Sequence, residues 1–202
     1  MKIAIGQIGT DADKTANFAL VAQAVITAAM NHARLILFPE ATMRAFGTGR
    51  LDEIAEPLDG PFVSALAGLA KNYNIAIVVG MFRPADQHVV SGRTINRVYN
   101  TTVAICPDGT VVHYDKIHTY DALGYRESDT IKPGENLVTF TYNAVTFGLA
   151  TCYDLRFPQQ FRQLARRGAD IILVPTSWAD GPGKLQQRQL LIRARSLDAT
   201  SW

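Results

Sequence analysis

The sequence predicts an α/β fold with a mixed sheet and helices on at least one face. Three observations carry that prediction. Short, nearly all-apolar segments such as RLILFPE (34–40) and DIILVP (170–175) have the composition of strands buried on both faces. Longer segments between such strands repeat apolar residues with the 3.6-residue period of a helix. In mid-chain, Pro107-Asp108-Gly109 separates two strand-like runs and marks a hairpin.

Taken in order, residues 2–8 alternate as a strand, with Ile3, Ile5 and Ile8 apolar. Asp13 can cap a helix over 14–31, whose Phe18, Val21, Ala22, Val25, Ile26 and Ala29 share one face. Residues 34–40 form the next strand and 41–60 are irregular. A helix over 61–73 leads to a strand over 75–80, and 93–106 with 110–115 make the hairpin. After a long loop come strands over 137–141 and 144–151, a helix after Pro158, a strand over 170–175 and a helix over 183–199. No domain boundary or fixed-period repeat interrupts 1–202, so a single domain is expected. The alternation of strand and helix predicts another strand after Ser201-Trp202.

Bulk properties exclude several classes of function. The 202 residues are 48% hydrophobic and carry a formal charge of only +2, with 20 basic against 18 acidic residues. No basic stripe implies nucleic acid or a membrane surface as partner, and Arg162, Arg166 and Arg167 read as a solvated helix face. No apolar run reaches the ~18 residues that span a bilayer, and MKIAIGQIGTDADK reads as a first strand rather than a leader. Cys106 and Cys152 are too few for a disulfide framework and match no metal pattern, which fits a reducing, cytoplasmic setting.

Three strands end in residues of catalytic type: LILFPE in Glu40, VVHYDK in Lys116, and FGLATC in Cys152. Ligands of open α/β sheets bind outside the carboxyl ends of strands, so parallel strands would bring carboxylate, ammonium and thiol to one cleft. A thiol attacks as thiolate and needs a base or a nearby cation; Glu40 could take its proton and Lys116 could stabilise an oxyanion. Taken singly, each has a plainer reading: a solvated strand end, a surface lysine, a small core cysteine.

The segments FPE (38–40), YDKIHTYD (114–121) and TCYDLRFP (151–158), in this order, resemble the nitrilase superfamily of carbon–nitrogen hydrolases. The resemblance implies a four-layer αββα sandwich of two mixed sheets, pairing with a second subunit as a homodimer or higher oligomer, and no metal or organic cofactor. It also implies a Glu40–Lys116–Cys152 triad, with Glu127 of GYRESDTIKPGE positioning the lysine or the substrate. The Tyr153 N–H would share the oxyanion with Lys116. The implied reaction is acyl transfer through a Cys152 thioester, with Glu40 alternating between acid and base. CYDLRFP with KIHTYDA, the RES triplet and RARSLDAT is most similar to the ω-amidase and deaminated-glutathione amidase branch. Its substrates are small 2-oxo acid amides or deaminated glutathione, so Arg156 and Arg188 are candidate carboxylate ligands.

Two departures from that branch stand out. The segment GPGKLQQRQLL lacks a tryptophan common in relatives, and family members continue through further strands, so the second sheet is expected to lack its C-terminal strands. Tyr120, Trp178 and Phe46 could line the pocket. Cys106 reads as core, and His113 with His118 reads as loop bracing rather than a metal pair. The expected activity is an amidase acting on a small-molecule, carboxylate-bearing amide. Its rivals are an N-carbamoyl hydrolase, a nitrilase, a non-catalytic binding module and a Cys106–Cys152 redox sensor.

Overall fold

The computed structural model describes residues 1–122 and 124–202. Five strands make the first sheet: Ile3–Ile5 (β1), Leu35–Leu37 (β2), Ala76–Val90 (β3), Arg93–Ile105 (β4) and Val111–Asp115 (β5), hydrogen-bonded in that order. β1, β2 and β3 are mutually parallel, whereas β4 is antiparallel to both β3 and β5. β5 therefore runs in the direction of β2. A small ribbon, Asp121–Ala122 (β6) and Tyr125–Arg126 (β7), follows. The second sheet contains Val138–Tyr142 (β8), Val145–Leu149 (β9) and Ile171–Leu173 (β10), with β9 central, antiparallel to β8 and parallel to β10.

Four α-helices, Lys14–Met30 (α1), Pro61–Tyr73 (α2), Pro158–Arg166 (α3) and Lys184–Ala199 (α4), and two 3-10 turns, Glu127–Asp129 and Cys152–Arg156, complete the described elements. Strand periodicity sorts their contacts into layers. On β3, Ile77, Val79 and Met81 pack with Val21 and Val25 of α1 and Phe62 and Leu66 of α2. The alternate residues Ala76 and Val78 face Phe140, Phe147 and Leu149 of the second sheet. Phe161 and Leu164 of α3 pack with Ala199 of α4 in a third cluster. The result is the expected αββα order, with both sheets mixed.

Local chemistry explains most boundaries. Asp13 accepts the Thr15 and Ala16 N–H groups at 2.8 and 3.2 Å and so starts α1. Pro61 and Pro158 occupy first-turn positions of α2 and α3, where their missing N–H is harmless. Gly109, at φ +92°, closes the turn from β4 to β5 by donating its N–H to the Cys106 carbonyl.

The main departure from the sequence reading is β3, which continues past Gly80 to Val90 and pairs with all of β4. Its outer half is polar and solvent-facing and contains Pro84, with a register shift between Pro84 and Gln87, so it lacks the apolar run that marked the inner half. Ser91 and Gly92, at φ +48° and +76°, join β3 to β4 in a two-residue turn of the type that matches strand twist. β1 is shorter than predicted and ends at Ile5. Beyond α4, Trp202 exchanges backbone hydrogen bonds with Asp170 and Ile172 alongside β10. No helix among the described residues is long and apolar enough to cross a membrane.

Candidate active site

Glu40 lies just beyond β2, Lys116 just beyond β5, and Cys152 beyond β9, and the two sheets bring these ends together. The Lys116 ammonium lies 3.1 Å from Glu40 Oε1 and 2.9 and 3.1 Å from Glu127 Oε2 and Oε1. Glu40, Lys116 and Glu127 are 2%, 2% and 3% exposed, so their charges must satisfy one another rather than water. Cys152 is partly buried and shares one cavity of about 460 Å³ with all three.

Backbone contacts fix these positions. A side chain at Gly80 would come within 2.6 Å of Ala41 N and 2.9 Å of Glu40 Cα, so only glycine lets β3 approach Glu40 so closely. Behind Lys116, Gly134 donates to the Lys116 carbonyl at 2.8 Å, where a Cβ would meet the Asp115 carbonyl oxygen at 2.2 Å. The Lys116 N–H donates to the Asn100 carbonyl at 2.9 Å.

Cys152 opens a 3-10 turn, Cys152–Arg156, with φ +46°, a left-handed conformation that non-glycine residues rarely adopt. Its neighbours impose this conformation. The Cys152 N–H donates to the Pro175 carbonyl, and Thr151 and Asp154 form a reciprocal capping box. Asp154 is wholly buried and accepts from Thr151 N–H (2.8 Å), Tyr114 O–H (2.6 Å) and His118 N–H (3.0 Å), with His118 Nδ1 at 2.8 Å. His118 stacks on Phe157, 3.5 Å between ring centres. One carboxylate thus ties the segment after Lys116 to the turn bearing Cys152. Tyr153 N–H precedes the first bond of the turn, Asp154 N–H to Thr151 O, which leaves it free to donate elsewhere.

The electrostatics of the site favour a resting thiol. Burial raises the Cys152 pKa well above its ordinary value, and the Glu40 charge adds to this against the opposing pull of Lys116. Burial alone would lower Lys116, but Glu40 and then Glu127 outweigh it and raise its pKa. Cys106, packed between the sheets, is pushed up to about 11 by burial and then by Asp108.

The cavity wall contains the predicted Phe46, Tyr120, Tyr153, Arg156 and Trp178, together with Tyr125 and Lys184. Arg156 lies over Tyr153 and Trp178, and Lys184 over Tyr120. Arg188 does not line this cavity; Lys184, one turn earlier on α4, does. The sequence reading missed Asn100, Asp154 and Lys184. Asn100 left a signal: YNTT puts three consecutive polar residues at the buried centre of β4, where Asn100, Thr101 and Thr102 are at most 1% exposed. His113 and His118 form no metal cluster, since no group of three His, Cys, Asp or Glu able to hold an ion occurs among the described residues.

Comparison with known proteins agrees with this geometry. Residues 2–202 match the carbon-nitrogen hydrolase family. A hydrolase of Mycobacterium tuberculosis is 43% identical over 205 residues, which span 100% of this chain and 70% of that protein. Deaminated glutathione amidase of Escherichia coli O157:H7 is 30% identical, covering 100% of this chain and 75% of the relative. Among solved structures, the Nesterenkonia sp. AN1 amidase carrying acrylamide added to its active-site cysteine superposes with a TM-score of 0.79. It is 25% identical, over 100% of this chain and 76% of that one. Together with two mixed sheets that gather Glu40, Lys116 and Cys152 at one cavity, these matches show that the chain belongs to the carbon–nitrogen hydrolase family of the nitrilase superfamily.

Proposed function

We infer that the chain is an amidase that cleaves a non-peptide carbon–nitrogen bond of a small carboxylate-bearing amide through a Cys152 thioester and releases ammonia. The observation that carries this reading is the buried Lys116 ammonium, held between Glu40 and Glu127 in the cavity that Cys152 lines. Because the thiol rests protonated, attack must be coupled to proton transfer onto Glu40. Sulfur then bonds the amide carbon, and the oxyanion is stabilised by Lys116 and the Tyr153 N–H. Collapse breaks the C–N bond as the Glu40 proton passes to the departing nitrogen. Glu40 next takes a proton from water, which attacks the thioester. Breaking the C–S bond returns that proton to Cys152 and frees the acid.

The cations on the wall support an anionic substrate. Arg156 donates to Gln187 Oε1 at 2.9 Å, and neither it nor Lys184 pairs with a carboxylate among the described residues. A substrate carboxylate fits beside them while the amide reaches Cys152. A 2-oxo acid ω-amide or deaminated glutathione has this chemistry. Ammonia release from succinamate, its neutral counterpart butyramide, a nitrile and an N-carbamoyl amino acid tests the reading. Succinamate should be turned over best, and Cys152→Ser should abolish turnover. Preference for the nitrile or the carbamoyl compound would reassign the substrate, and turnover by Cys152→Ser would refute the thioester.

A further inference from the structure

Asn100 sits in the middle of β4, 1% exposed, and hydrogen-bonds to all three residues of the cluster, through side chain or backbone. Its Nδ2 donates to Glu40 Oε1 at 2.8 Å and to Glu127 Oε1 at 3.3 Å. Its carbonyl holds the Lys116 N–H. The Lys116 ammonium contacts the same two carboxylate oxygens, at 3.1 Å each, so ammonium and amide bridge the carboxylates side by side. The neighbours also fix the amide orientation, because the opposite one would set a carbonyl oxygen against two carboxylates. Asn100 Oδ1 is buried and has no hydrogen-bond partner among the described residues. An orphaned acceptor is unfavourable in a core, so packing alone does not account for an amide here, whereas its two donated bonds do.

The lone pairs of Glu40 sharpen the point. Oε1 accepts from both Lys116 and Asn100, while the one backbone or side-chain nitrogen that Oε2 accepts from among the described residues is the Ser177 N–H, at 2.9 Å. A carboxylate oxygen offers about two acceptor sites, so Oε1 is saturated and Oε2 keeps one site open. We propose that Asn100 is a positioning residue that pins Glu40 Oε1 and leaves Oε2 as the oxygen that exchanges protons with the Cys152 thiol and the leaving nitrogen. The titratable groups facing this carboxylate are Lys116, Glu127 and Cys152, with Tyr125 beyond them. Two buried carboxylates share a single ammonium. Without the second, neutral donor Glu40 Oε1 keeps only one of its two bonds, and the carboxylate is free to turn away from the thiol.

The inference rests on Glu40 acting as the base, and its test separates the two ideas. Parent, Cys152→Ser, Asn100→Ala and Asn100→Asp are compared for succinamate turnover between pH 6 and 8.5, with thermal melts confirming folding. Hydrogen bonds to charged groups carry about tenfold to hundredfold effects. Asn100→Ala should therefore lower kcat by that factor with KM changed less than about threefold. Asn100→Asp should fall further below the parent as pH rises, because its protonated form can still donate to Oε1 and its ionised form cannot. An Asn100→Asp profile parallel to the parent's, or Asn100→Ala within about twofold of parent, would overturn the proposal. If the parent hydrolyses no amide, the amidase reading fails but Asn100 remains decidable through alkylation. Slower capture of Cys152 by iodoacetamide at pH 6.5 in Asn100→Ala supports its role, and equal capture rates refute it.

Discussion

Removing the Asp154 carboxylate tests whether the turn bearing Cys152 is held by the network described above. In Asp154→Ala, the wholly buried Thr151 N–H and Tyr114 O–H lose their acceptor, and the part-buried His118 N–H does as well. Each buried donor left unsatisfied costs about 1–3 kcal/mol. Two full penalties and a fraction of a third give about 2–7 kcal/mol, a large share of a typical total of about 5–15 kcal/mol. At about 2–4 °C per kcal/mol for a chain of this size, the melting temperature should fall by about 4–28 °C. Asp154→Asn keeps the shape and one acceptor oxygen and should lose about half as much. Urea and thermal denaturation give these values. Turnover under conditions where the variant is fully folded reports the second effect, because Cys152 at φ +46° is free to relax once its brace is gone. A loss below about 1 kcal/mol in Asp154→Ala, with turnover unchanged, would refute the bracing role.

Other perturbations test the scaffold around the site. Gly80→Ala should push Glu40 from its place, because the new Cβ meets backbone atoms rather than a yielding side chain; turnover should fall at least about tenfold, more steeply than stability does. Asp86 is held at about 2 by its hydrogen bond to Arg97, against burial and with help from Lys132, and this ion cluster lies beside the segment that carries Glu127. A depressed carboxyl contributes stability that is complete above pH ~4 and lost as pH falls through about 2. Asp86→Asn should therefore cost less than about 1 kcal/mol at pH 7, given its solvent screening, and that difference should vanish near pH 2 in urea titrations at each pH.

The parts of the molecule legible in the sequence are those where a local pattern and a tertiary consequence coincide. RLILFPE had to be buried on both faces, so the residue that ended it, Glu40, had to meet other groups in a dry cleft. Asp115-Lys116 and Cys152-Tyr153-Asp154 broke their strands at positions that strand direction then aligned. The outer half of β3 was illegible because it is solvated and carries a proline, so no burial pattern marks it as strand. Asp154 was unreadable as a site component, and Asn100 legible only as part of a polar run, for a different reason. Their partners, Glu40, Glu127, Tyr114 and His118, are remote in sequence and meet only after both sheets pack. That Lys184 rather than the predicted Arg188 lines the cavity turned on the rotation of α4 about its axis, which a helix of low amphipathicity does not specify.

Rapid-quench mass spectrometry of the protein mixed with succinamate tests the thioester most directly. A Cys152 thioester gives a transient mass gain equal to the acyl group, formed with release of one ammonia, mapped to the Cys152 peptide and absent in Cys152→Ser. Ammonia release with no adduct at any quench time, or an adduct on Cys106 instead, would contradict it.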